Sequence, residues 1–237
     1  MEDIPDSAGI EEGLKGRLDP LQGGSASLGD DAVWIERRVI QLFALVGEAL
    51  VGATDVLLSG DRELGRVLVE RDSAVDSLFG DIESLVLRQL VLGRTSPAEL
   101  HFLITVLRML PELERSGDLA EHIAQRGVRG LGREMNARSR GLVERMGEVA
   151  TRMWRMATDA YVDRAANLAE QLERLDDEMD DLHVTLTAEL VAGEMSLPVA
   201  LELALVARFY ERFGDHAVNL SRRVASYLGD VLRDVAE

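Results

Sequence analysis

The feature of this chain that most constrains its fold is an internal repeat. Segment Glu114–His122 reads ERSGDLAEH and segment Glu211–Asn219 reads ERFGDHAVN, so five of nine positions are identical at an offset of 97 residues. A second pair of segments, Asp72–Leu78 and Asp176–Leu182, repeats an Asp-x-x-x-Asp pattern at an offset of 104 residues. The turn between the paired segments is therefore seven residues longer in the first copy. We expect two duplicated copies of one structural unit.

Six stretches carry apolar residues at alternating spacings of three and four, which is typical of helices packed in a bundle. The first helix is expected to begin near Asp30 as its N-cap, and the second spans about 63–92. Ser96–Glu99 has the pattern of a capping box with proline at the first helical position, and Pro111 is expected to kink the helix that follows. That third helix ends near residue 126. Apolar positions between 142 and 156 and between 168 and 190 mark the fourth and fifth helices, and the sixth runs from its cap at Ser196 to about 228.

The predicted fold class is all-α, because no stretch shows the period-two alternation of a strand. Six long antiparallel helices interrupted by a glycine-rich midpoint predict two tandem three-helix bundles. We expect a disordered N-terminal arm over residues 1–29, a first bundle over 30–130 and a second over 135–230.

Composition excludes several function classes. With 43 acidic against 26 basic residues the net charge is −17, which opposes direct binding to nucleic acid. The chain has no cysteine, so disulfides and thiolate metal sites are excluded. We find no apolar run approaching the roughly 18–20 residues that span a bilayer, and the acidic N-terminus does not resemble a signal peptide. A cytoplasmic location is expected.

The repeated acids are the candidate site. Residues four apart share a helix face, so each acidic pair places two carboxylates side by side. If neighbouring helices bring the pairs together, four carboxylates converge in each bundle and suit a hard cation such as iron, manganese, magnesium or calcium. The alternative for any single pair is a solvated face with arginine neighbours. Gly117 and Gly214 each precede an aspartate, which indicates either close approach to the backbone or a tight helix crossing.

The histidines leave alternatives open. His122 and Asn219 occupy corresponding places, and each could add a ligand or bond within its helix. His216 could be a metal ligand or could pack in the core. His183 lies three residues after Asp180, which is a weak spacing for two ligands, and His101 has no other candidate ligand near it in the sequence.

Segments 70–76, 110–118 and 211–219 resemble the PhoU family, and the resemblance extends over residues 31 to about 230. Membership implies two three-helix bundles that hold multinuclear clusters of metal, with iron expected and zinc, manganese, magnesium or calcium as alternatives. It implies a cytoplasmic protein that is peripheral to the membrane only through its partners. These are the phosphate transporter ATPase and a sensor histidine kinase. With them, the protein is expected to keep the phosphate-starvation response off when phosphate is plentiful. Whether the chain forms a homodimer is left open.

The family's metal motifs map onto eight acids of this chain. The second half follows the family pattern Gly-Asp-His-Ala-x-Asn, whereas the first has Leu119 where histidine is usual and His122 where asparagine is usual. The resemblance therefore does not imply equal metal loading of the two halves. The metal ligands it implies are Asp72, Asp76, Glu114 and Asp118 in the first half, and Asp176, Asp180, Glu211 and Asp215 in the second.

The leading prediction of function is a non-catalytic, PhoU-like regulatory adaptor. No Gly-x-Ser-x-Gly elbow, phosphate-cradling glycine loop or zincin motif is present in the sequence. One alternative is a metalloenzyme, either a ferritin-like oxidase or a metal-dependent hydrolase. Ferritin-like sites use Glu-x-x-His motifs, and this sequence contains none. The other alternative is a plain helical scaffold that carries no metal.

Overall fold

The structure is a computed structural model that describes residues 28–165, 168–193 and 195–236. Its described residues form long helices and a short 3₁₀ turn, Leu131–Arg133, with no strand among them, so the all-α prediction is confirmed. Residues 1–27 of the predicted arm lie outside the described residues, and the domain division at 30–130 and 135–230 stays a prediction. The helices are α1 (Gly29–Ser59), α2 (Arg62–Leu92), α3 (Pro97–Val128), α4 (Ala137–Asp163), α5 (Ala169–Ala192) and α6 (Leu197–Ala236).

The start of α3 is capped as predicted. The Ser96 hydroxyl accepts from the Glu99 amide at 3.3 Å, and the Glu99 carboxylate accepts from the Ser96 amide at 2.7 Å. The other oxygen of Glu99 accepts from the Leu28 amide at 2.6 Å, which ties the start of α1 to that of α3. α3 continues through Pro111, and the kink expected at this proline stays a prediction.

The prediction that Asp30 is the N-cap of α1 is wrong. The helix already begins at Gly29, and Leu28 occupies the cap position without a side-chain hydrogen bond. Asp30 and Asp31 lie in the first helical turn, where carboxylates interact favourably with the helix dipole. Asp31 also accepts a hydrogen bond from Gln89 of α2. At the other end of the chain, α6 extends to Ala236, eight residues beyond its predicted end.

The two bundles share one core. α1 packs with α2 and α3, α4 packs with α5 and α6, and the bundles meet where α3 contacts α6 and α1 contacts α4. The Trp154 indole N–H donates to the Phe43 carbonyl at 2.9 Å, and the Thr54 and Tyr210 hydroxyls lie 2.8 Å apart. Apolar side chains of both halves therefore form a continuous buried cluster.

α1 is more apolar than the sequence analysis indicated. α1 contains an 18-residue window that is long and apolar enough to cross a bilayer, and 39% of that window is buried in the fold. The apolar character of α1 follows from its position. Because α1 contacts α2, α3 and α4, it needs apolar residues on several of its faces. A central core helix meets the same criterion of length and composition as a membrane span.

The glycine-rich midpoint packs directly against the end of α1. A Cβ at Gly127 would lie 2.6 Å from the Val56 carbonyl oxygen, and one at Gly132 would lie 2.0 Å from the Leu57 carbonyl oxygen. Only glycine allows the backbones to approach this closely. This close contact fixes the path of the chain as it leaves the first bundle.

Candidate metal centres

Three of the four acids predicted for the first half converge between α2 and α3. Asp72, Asp76 and Asp118 each offer a carboxylate oxygen, and these oxygens lie within 4.8 Å of one another. Glu114 lies one turn before Asp118 on α3, and the charges of Asp118 and Asp76 both act on it. We call these four residues the first acidic cluster.

Gly117 brings α3 close to α2 at this cluster. A Cβ built on Gly117 would lie 3.1 Å from Cγ1 of Val75 and 3.5 Å from Oδ1 of Asp72. In the second half, a Cβ on Gly214 would lie 3.2 Å from the Met153 side chain and 3.7 Å from Oδ1 of Asp176. Each repeated glycine therefore serves both a tight helix crossing and an approach to the first aspartate of its half.

Mutual repulsion and partial burial set the electrostatics of the first cluster. The pKa of Asp72 is raised to about 6, first by burial and then by the charges of Glu121, Asp76, Asp118 and Glu114. Burial followed by the charge of Asp76 raises the pKa of Asp118, while nearby His122 lowers it. Burial followed by the charge of Asp118 raises the pKa of Glu114. The ionised cluster would gain free energy from a bound cation.

The second acidic cluster consists of Asp176 and Asp180 on α5 with Glu211 and Asp215 on α6. Burial, followed by the charges of Asp215 and Asp180, raises the pKa of Asp176 to about 6, as for Asp72. The cluster is more open: within the described chain, no three carboxylates of this half offer oxygens within 4.8 Å of one another. Glu211 is also paired with Arg208 one turn earlier. The structure thus gives the two halves similar charge but different compactness.

The donor set fits a hard cation. Every candidate ligand is a carboxylate, the donor type that Mg²⁺, Ca²⁺, Mn²⁺ and iron accept. Carboxylates alone do not choose among these metals. The assignment of the eight acids as metal ligands stays a prediction.

One acid next to the first cluster was not among the predicted ligands. Glu121 exerts the largest charge effect on Asp72, and its carboxylate accepts from the Gln125 amide at 2.8 Å. It lies one turn after Asp118, a spacing that could have signalled it. However, its counterpart in the second half is Val218, so the repeat gave no support.

The buried histidine of the second motif contacts the other half of the chain. His216 Nδ1 lies 3.0 Å from the Ser116 hydroxyl, and Nε2 lies 3.6 Å from the Glu112 carboxylate. Burial lowers the pKa of His216 against the opposing charge of Glu112. Both ring nitrogens therefore have partners at the α3–α6 contact, which favours the packing interpretation over ligation.

The other polar candidates fall in different surroundings. The His122 ring stacks on Phe209 at 5.4 Å between centroids, and the charge of His183 acts on Glu211. Asn219 and His101 both line a groove between α3 and α6, a proximity that the sequence analysis did not predict.

The fold and the two acidic clusters place this protein among all-α bundle proteins that consist of two copies of one unit, each copy with a group of carboxylates. The family model for the PhoU domain matches residues 39–127 and 143–224, and the chain belongs to the PhoU family.

Curated relatives match over most of their length. The chain is 30% identical over 197 residues to "Phosphate-specific transport system accessory protein PhoU homolog 2" of Mycobacterium tuberculosis, covering 80% of this chain and 91% of the relative. It is 30% identical to the PhoU homolog of Aquifex aeolicus, covering 75% of this chain and 81% of the relative.

Solved structures share the fold. PhoU from Pseudomonas aeruginosa aligns with a TM-score of 0.79 at 24% identity, covering 86% of this chain and 99% of that chain. The phosphate transport system regulatory protein PhoU from Streptococcus pneumoniae aligns with a TM-score of 0.73 at 22% identity, covering 83% and 94%.

Proposed function

We propose that this protein is a non-catalytic accessory and regulatory protein of phosphate uptake that represses the phosphate-starvation response. The relatives support the accessory and regulatory part of this proposal, since they are phosphate-specific transport system accessory proteins and one solved relative is a phosphate transport system regulatory protein. The protein acts in the cytoplasm and reaches the membrane through its partners. These partners are the phosphate transporter ATPase and a sensor histidine kinase.

Metal ions, with iron expected, belong to the same proposal. The observation that supports it most directly is the group of three carboxylates, Asp72, Asp76 and Asp118, whose oxygens lie within 4.8 Å of one another. A cation there would relieve the repulsion that raises the pKa of Asp72 and would link α2 to α3. Because only the folded chain assembles the cluster, bound metal stabilises the fold by mass action.

A plain scaffold is the second candidate, and metal analysis separates the two. Protein purified from native expression should contain stoichiometric metal by elemental analysis, and the double variant Asp72→Ala/Asp76→Ala should lose the share held by the first cluster while its helical circular dichroism is retained. The control Glu144→Ala/Glu148→Ala removes two exposed acids at the same spacing on α4, away from both clusters, and should keep its metal. Full metal retention by the first variant would exclude the assigned ligands.

The regulatory role is tested in cells, independently of metal. Deletion of the gene should switch on phosphate-starvation genes in high-phosphate medium, and the wild-type gene on a plasmid should restore repression. An unchanged response in the deletion strain would refute the regulatory proposal even if the purified protein held metal.

A further inference from the structure

A basic groove lies between the first half of α3 and the last part of α6. It has a volume of about 530 Å³, and its described lining carries three arginines and no acidic residue, although acids outnumber basic residues 43 to 26 in the chain. The side chains that matter here are Arg108 from α3 and Asn219, Arg222, Arg223, Ser226 and Tyr227 from α6. None of them belongs to either acidic cluster.

The three arginines differ in how firmly they are held. Arg223 is 36% exposed and pairs with Glu112 at 3.2 Å, while its Nε is buried and finds no hydrogen-bond acceptor among the described residues. Arg222 is 60% exposed, and its contact with Glu173 at 3.4 Å is a weak surface pair. Arg108 is exposed and makes no ion pair within the described ranges. One guanidinium is thus fixed by the fold, and two can adjust to an incoming anion.

The duplication provides an internal comparison, because α3 and α6 correspond at an offset of 97 residues. Arg126 corresponds to Arg223, but it is only 12% exposed and pairs with Glu202 at 2.9 Å. Its guanidinium also lies over the Phe209 ring at 4.7 Å. Glu202 occupies the place of Thr105, and Leu205 the place of Arg108. The counterpart site therefore has one arginine, which is paired and mostly covered, whereas the basic groove has three, of which Arg222 is only weakly paired and Arg108 makes no ion pair among the described residues.

The donors in the groove suit a phosphoryl group. Guanidinium groups bind phosphate oxygens through paired N–H donors, and the Ser226 hydroxyl and the Asn219 amide add further donors beside them. The volume exceeds that of a bare phosphate ion, and the Tyr227 ring offers a surface for a larger organic part. We propose that the basic groove binds a phosphoryl anion, supplied either as inorganic phosphate or as the phosphate of a nucleotide-sized monoester.

Isothermal titration calorimetry of the full chain tests this proposal, with inorganic phosphate and adenosine monophosphate as probes. The wild type should bind at least one of them, and the double variant Arg108→Ala/Arg222→Ala should bind it at least tenfold more weakly. That variant keeps the Arg223–Glu112 pair and all eight acids of the two clusters, so its fold should be unchanged. Because the charge of Arg222 acts on Asp176 in the second cluster, binding is compared on chelator-stripped protein, where metal content cannot differ. The control Arg66→Ala removes a 65% exposed arginine from α2 and should bind as the wild type does.

The two probes distinguish the two sources of the anion. Tighter binding of adenosine monophosphate would identify an ester as the ligand, and equal or weaker binding would identify phosphate itself. No heat of binding for either probe at millimolar concentration would overturn the proposal. So would undiminished binding by the double variant, which would place the anion elsewhere, or equal competition by chloride. These readouts do not depend on the regulatory role, so failure here would leave the proposed function standing.

Discussion

The hydroxyl of Ser116 and Nδ1 of His216 lie 3.0 Å apart and join the two copies of the repeated motif across the α3–α6 contact. Ser116 is fully buried, and its hydroxyl also donates to the Glu112 carbonyl at 2.6 Å. The pair therefore couples the second motif directly to the backbone of the first bundle.

Replacing Ser116 with Ala should destabilise the protein by about 1–2 kcal/mol, because a buried imidazole nitrogen then loses its partner. Denaturant unfolding measures the change. The control Ser73→Ala removes an exposed hydroxyl that, among the described residues, bonds only to the carbonyl of Glu70, and should change stability by less than about 0.5 kcal/mol. Equal stability of the two variants would show that the Ser116–His216 contact contributes nothing.

Two hydroxyls provide a second link between the halves. Tyr210 is fully buried, and its hydroxyl lies 2.8 Å from that of Thr54, which also bonds to the Leu50 carbonyl at 2.9 Å. We expect Tyr210→Phe to cost about 1 kcal/mol. A double-mutant cycle with Thr54→Val should give a coupling of about 0.5–1 kcal/mol, and strictly additive effects would argue against a direct bond.

The sequence predicted the helices of this fold better than the contacts between them. Periodicity located each helix, and the Ser96–Glu99 capping box fixed the start of α3. Contacts such as Thr54 with Tyr210 join residues 156 positions apart, and no local pattern specifies them. Repetition located the acidic clusters but missed Glu121, whose counterpart is an apolar valine. The basic groove was missed because Arg108 and Arg222 lie 114 residues apart in the sequence, and no local pattern joins them.

Two glycine substitutions should have opposite effects on stability. Gly132→Ala should destabilise the protein by at least about 2 kcal/mol, because the added Cβ would lie 2.0 Å from the Leu57 carbonyl oxygen. Gly80→Ala should stabilise it by about 0.5–1 kcal/mol, since Gly80 lies inside α2 with open space around it. Thermal and denaturant unfolding measure both changes. A neutral Gly132→Ala would mean that the midpoint of the chain does not pack against α1 as described.

Asp72→Asn should have opposite effects on the metal-free and metal-loaded protein. The pKa of Asp72 is raised from 3.8 to about 6 in the folded state, so its ionised form costs stability above pH 6. This cost declines gradually as the pH falls from about 6 towards 3.8. At pH 7.5 the metal-free variant should therefore be more stable than the wild type by about 1 kcal/mol, after a discount for solvent screening. At pH 5 the difference should shrink. A metal-free variant less stable than the wild type at pH 7.5 would contradict the repulsion.

The same variant tests whether the compact cluster binds the metal more tightly. Added Mn²⁺ or Fe²⁺ should raise the melting temperature of the chelator-stripped wild type, because a cation offsets the repulsion among the carboxylates. Asp72→Asn should lose more of that rise than Asp176→Asn, since three oxygens lie within 4.8 Å only in the first cluster among the described residues, and Arg208 already pairs with Glu211 in the second. Differential scanning calorimetry across a metal titration gives both values. A larger loss of this rise for Asp176→Asn than for Asp72→Asn would contradict the prediction, because it would show that the second cluster binds the metal more tightly than the first.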